Sequence, residues 1–97
     1  MSINTLLERK TQVLIELRNY KVLEKEETKD GVLTIVEDVE GKKILIWTTS
    51  IADAIGVKHI NQMTKYMSSK NIESGIIVSE KYTQSAKSLA RKNNIEL

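Results

Sequence analysis

The sequence predicts an α/β fold: a mixed sheet, made of an antiparallel hairpin plus parallel strands, with helices on both faces. Three observations predict it. An amphipathic segment opens the chain, two β-rich runs flank a glycine-containing loop, and residues 56–97 read as helix, buried strand, helix, strand.

Each element follows from local pattern. Ser2 or Asn4 can cap a first helix that runs to about Arg18, with Leu6 or Leu7, Val13, Leu14 and Leu17 inward and Glu8, Arg9, Glu16 and Arg18 outside. Residues 20–23 form a short edge strand, and residues 24–30 a charged connection that ends in the turn signal Asp30-Gly31. Residues 32–36 and 43–48 are strands joined by Asp38-Val39-Glu40-Gly41-Lys42, the spacing of an antiparallel hairpin. In the next helix Ile60, Met63, Thr64 and Met67 share one face, with Lys58, Asn61, Lys65 and Ser68 opposite. Ile76-Ile77-Val78, opened by Gly75, is too short for a helix and β-branched throughout, which suits a strand covered on both faces. Thr83 caps a last helix whose Ala86, Leu89 and Ala90 face the sheet, Asn93-Asn94 stops it, and Ile95-Glu96-Leu97 begins a closing strand. The strand-helix-strand order implies right-handed parallel crossovers.

Length and composition narrow the function. Ninety-seven residues make a single domain, 1–97. A chain ending at Leu97, just where its last strand begins, reads either as a piece of a longer protein or as one with a short final strand. The absence of cysteine excludes disulfides, thiolate metal sites and cysteine nucleophiles, and a lone histidine, His59, disfavours a histidine metal site and carries no catalytic role. No signal peptide core or membrane-length apolar run is present, so the expectation is a soluble, intracellular protein without membrane partners. The charge of +2 is uneven: residues 1–50 carry eight Lys/Arg against nine Asp/Glu, and residues 51–97 seven against four. That excess tolerates a phosphate backbone, although lysines solvating two helices explain it as well.

Two stretches are similar to a polymerase family. RKTQVLIELRNYKVLEKEE at 9–27 and GVKHINQMTKYMSSKNIESGIIVSEKYTQSA at 56–86 resemble the N-terminal jaw domain of the fifth subunit shared by eukaryotic nuclear RNA polymerases, including its G-V-K helix and its T-P-S-A loop, with Gln84 in place of the proline. DGVLTIVEDVEGKKILIWTTS at 30–50 and SLARKNNIEL at 88–97 resemble instead the endonuclease domain of restriction enzymes that cut modified DNA. Both resemblances imply a restriction-endonuclease-like fold. The second implies an aspartate on the first hairpin strand and a glutamate or glutamine, then a lysine one residue beyond it, on the next, for metal-assisted hydrolysis. Those positions fall on Thr34, Trp47 and Thr49, while Asp30, Glu37, Asp38 and Glu40 lie near the hairpin without a suitably spaced lysine. Trp47 reads as a core or interface aromatic.

The resulting expectation is a domain that is not an enzyme, with no catalytic residue, metal or cofactor, acting in transcription through polymerase subunits or the duplex DNA backbone, with a homodimer possible. The alternatives are a degenerate or partner-completed restriction-type nuclease domain, and an interaction module of a virus or mobile element. The DNA or phosphate contact is expected at Lys81, Thr83, Gln84, Ser85, Lys87 and Arg91, where a helix opens and the resembled jaw loop lies towards downstream DNA. The simpler alternative is that Thr83 only caps the helix.

Overall fold

A computed structural model describes residues 5–97. The expected helix caps Ser2 and Asn4 lie outside the described residues. In chain order the elements are α1 (Thr5–Leu17), β1 (Lys21–Thr28), β2 (Gly31–Glu37), β3 (Lys43–Thr49), α2 (Val57–Ser69), β4 (Gly75–Val78), α3 (Gln84–Lys92) and β5 (Ile95–Glu96). The five strands form one sheet in sequence order. β1, β2 and β3 are antiparallel neighbours, whereas β3, β4 and β5 run parallel. This is the predicted mixed sheet, and a core lies on each of its faces. Leu7 and Ile15 of α1 pack with Val36, Ile44, Ile46, Ile76 and Val78 on one side. Ile60, Met63 and Met67 of α2 and Ala86 and Ala90 of α3 pack with Leu33, Leu45, Trp47 and Ile77 on the other. Among the described residues no helix is long and apolar enough to cross a membrane.

Two expectations change. The inward face of α1 is Leu7, Thr11, Leu14 and Ile15, while Leu6, Val13 and Leu17 are 54%, 47% and 77% exposed. Apolar type alone misled, because spacing at i, i+4 and i+8 admits a threonine at the centre of the buried stripe. The edge strand is also longer than residues 20–23: β1 continues through the charged segment to Thr28. Lys and Glu suit an edge, whose unpaired backbone would otherwise invite another chain.

Each of α1, α2 and α3 is followed within two residues by an asparagine that reverses the chain. Asn19, Asn71 and Asn94 have φ of 56°, 59° and 62°, the left-handed conformation that glycine usually supplies. After α1 the Tyr20 N–H donates to the Ile15 carbonyl and Asn19 N–H to Glu16; after α2 Ile72 N–H donates to Met67 and Asn71 N–H to Ser68. Those pairs satisfy carbonyls that a helix end would leave orphaned. They also turn the chain directly into β1 and towards β4.

Candidate functional site

Successive side chains of a strand point to opposite faces, so the β2–β3 register decides which residues can meet. Thr34 pairs with Ile46, and Leu33 with Trp47. Ile46 lies in the core beneath α1 and Trp47 in the core beneath α2 and α3. Thr34 and Trp47 therefore face opposite sides of the sheet, and the expected grouping of Thr34, Trp47 and Thr49 in one centre is corrected. On Thr34's own face, the acid-x-lysine spacing falls on Ile46 and Thr48. Trp47 and Thr49 serve the fold instead. The Trp47 Nε1–H donates to the Asp30 carbonyl at 3.2 Å, and its ring meets Tyr66 edge-on at 5.5 Å. The Thr49 hydroxyl donates to the Val78 carbonyl at 3.2 Å.

Thr34 opens into a pocket of about 390 Å³ between α1 and the first three strands. Its polar lining is Glu8, Thr11 and Gln12 from α1, Lys25 from β1, Thr34 from β2 and Thr48 from β3, with Ile15, Val22 and Val32 as apolar wall. The three threonines are buried, Thr34 to 2% exposure. Thr11 commits its proton to the Leu7 carbonyl at 3.0 Å, so in its 2.7 Å contact with Thr48 it accepts and Thr48 donates. Lys25 is the cross-strand neighbour of Thr34 and lines the same pocket, so its exposed side chain brings a positive charge to the pocket from the sheet edge. Sequence reasoning missed this site because its members come from four elements. The available signal was the threonine placed at an inward position of each of α1, β2 and β3, where an aliphatic residue packs more simply.

The fold family implies a divalent metal, and the donor set does not suit one. Among the described residues no three His, Cys, Asp or Glu side chains could hold a metal ion. The pocket contains one carboxylate, Glu8, and two of its three hydroxyls are already bonded to each other. Ca²⁺ takes about six to eight oxygens, and Mg²⁺ is bound through one or two carboxylates together with waters and substrate phosphates, whereas Glu8 is the one carboxylate lining this pocket. These residues do not make a resident metal site. The other carboxylates near the hairpin hold turns or pack: Asp38 Oδ1 accepts from the N–H groups of Glu40 and Lys42, both at 2.9 Å, and Asp30 Oδ2 accepts from Gln62 at 3.1 Å. His59 caps α2, its Nδ1 accepting the Gly56 N–H at 2.9 Å.

The second expected site sits elsewhere, at the start of α3. Thr83 is the N-cap, its hydroxyl accepting from Ala86 N–H at 3.1 Å, and Gln84 and Ser85 lie exposed in the first turn. Lys81, Lys87 and Arg91 are exposed, and among the described residues the ion pairs Arg18–Glu96 and Lys70–Glu26 leave them out. The loop is held firmly without the missing proline. Ile55 bonds it on both sides, accepting from Thr83 N–H and donating to the Lys81 carbonyl, both at 2.9 Å. The Tyr82 hydroxyl accepts from Ser79 N–H at 2.9 Å and reaches the Ile77 carbonyl at 3.0 Å.

Comparison with known proteins decides between the two resemblances. The Mrr_cat family, described as a restriction endonuclease, matches residues 5–97. The chain belongs to this restriction endonuclease family. A solved repair endonuclease from Pyrococcus abyssi is similar in fold, at a TM-score of 0.64 and 21% identity, and EndoMS in its apo form at 0.68 and 20%. In both cases the match covers 92% of this chain and 44% of the other, so the chain spans less than half the length of these structures. No curated protein sequence matches it. Family membership overturns the expectation of a polymerase jaw and of a role in transcription, and it overturns the conclusion that the domain is no enzyme. That conclusion rested on Thr34, Trp47 and Thr49, which the sheet keeps apart.

Proposed function

We propose that this domain is the nuclease-fold part of an endonuclease that acts on DNA. The sugar–phosphate backbone lies against the pocket beneath α1, and the metal-binding carboxylates that this pocket lacks come from another domain or chain. The observation that carries the reading is the restriction endonuclease match across residues 5–97. The pocket supports it: the hairpin position where the family's aspartate is expected, Thr34, opens there with its own hydroxyl and shares the lining with Lys25. Hydroxyls and amines are the groups that position a phosphate. The similar Pyrococcus abyssi protein is a repair endonuclease, which agrees with DNA as the substrate class.

The face formed by Lys81, Thr83, Gln84, Ser85, Lys87 and Arg91 is proposed as an auxiliary backbone contact, because its three cations have no ion-pair partner among the described residues. Anisotropy of a labelled duplex tests both. Binding should be insensitive to sequence and fall with salt at a log-log slope of roughly −2 to −3, from two or three phosphate contacts. Lys25→Glu should weaken it by about fivefold, as for loss of one exposed charge contact. No DNA binding at low salt would contradict the reading.

A further inference from the structure

We infer that the pocket beneath α1 takes the phosphodiester directly on Lys25 and the Thr34 hydroxyl, whose proton no other group in the pocket claims among the described residues, with no divalent cation held by this chain. The inference rests on the endonuclease reading above and deepens it. In the chemistry expected of the family, an aspartate on β2 with a glutamate or glutamine on β3 holds the cation and a lysine on β3 neutralises developing charge. Here Val32, Thr34 and Thr48 line the pocket from those strands and Ile46 lies in the core on the same face, so the middle of the sheet contributes no charge. The charged groups have moved outward, to Lys25 on the edge strand and Glu8 on the helix above. Lys25 pairs across the strands with Thr34, the position where the aspartate would stand, and lines the pocket with it.

Glu8 makes the inference decisive, because its effect changes sign with mechanism. If it binds a cation, its removal weakens cation-dependent binding of DNA. If phosphate meets Lys25 directly, Glu8 is a repelling neighbour, and its removal tightens binding.

The test combines calorimetric titration of the chain with Mn²⁺ and duplex anisotropy in EDTA and in Mg²⁺ at matched ionic strength. The expected results are no saturable Mn²⁺ binding below about 1 mM, equal DNA affinity with and without Mg²⁺, and binding about twofold tighter for Glu8→Gln. Lys25→Gln should be weaker in both buffers, with an unchanged melting temperature. Stoichiometric Mn²⁺ binding that Glu8→Gln abolishes would overturn the inference, as would Mg²⁺-enhanced DNA binding that this variant loses. If no DNA binds under any condition, the endonuclease reading fails with it, whereas the Mn²⁺ titration still decides whether this chain holds the cation.

Discussion

Backbone geometry constrains single residues most tightly where the chain reverses. Gly31 has φ of 136°, and a Cβ there would stand 2.1 Å from the Thr48 carbonyl oxygen, an atom fixed in the sheet. Gly31→Ala should therefore cost about 2 kcal/mol or more, read as a lower urea midpoint at unchanged m-value. The asparagines behave differently. Asn71→Gly should leave stability unchanged or raise it slightly, while Asn71→Val should lower it by about 1–2 kcal/mol, since a β-branched side chain resists the left-handed conformation. Equal midpoints for the two variants would contradict the cap assignment.

His59 couples this fold to pH just below neutrality. Burial, then the neighbouring Lys58, hold its imidazole below the ordinary value of 6.5, against the opposing pull of Asp30 and Asp53. Its Nδ1 must stay unprotonated to accept from Gly56. With the folded-state value lowered, the unfolded chain binds the proton first as pH falls. The stability owed to the neutral ring is therefore complete above 6.5 and is lost as pH falls from there through the folded-state value. Urea midpoints measured from pH 7.5 to 5 should show this loss in the wild type and a smaller one in His59→Asn. Parallel profiles would show that the ring does not carry the effect.

At the scale of elements, stability should be concentrated in β3 and β4. β4 is buried at all four positions and flanked by parallel neighbours, whereas β1 is exposed along seven of its eight residues. Amide exchange should be slowest at 45–47 and 76–78, which open only with global unfolding, and faster along β1. Fast exchange at 76–78 would contradict the layered core. The α3 face is separable from this core: Lys81→Glu with Lys87→Glu should lower DNA affinity without shifting the melting temperature, because both side chains are exposed.

Much of this level was legible in the sequence. The apolar run at 76–78, the Asp38–Lys42 loop and the Thr83 cap each carry a local signal, and each appears as expected. Two features were not legible. The β1 extension depends on β2 offering it a partner, so its Lys and Glu residues resemble a connection until the sheet is assembled. The facing of Thr34 depends on register, and a one-residue slip reverses every side chain of a strand.

Across the whole molecule, one face of the sheet is built for structure and the other, on the reading proposed above, for function. Beneath α2 and α3, Trp47, Tyr66, Gln62 and Asp30 are bonded to one another. Beneath α1, the same sheet leaves a pocket with a polar floor. The family was recognisable from the hairpin and the closing segment, but the pocket's membership was not, since Glu8, Lys25, Thr34 and Thr48 meet only in the folded chain. The most direct test is a map of amide shifts as a short DNA duplex is titrated into the labelled protein. The largest changes are predicted at Glu8, Thr11, Gln12, Lys25, Thr34 and Thr48, with smaller ones around Lys81 and Lys87. Changes confined to residues 81–91, with the α1 pocket silent, would contradict a phosphate site beneath α1.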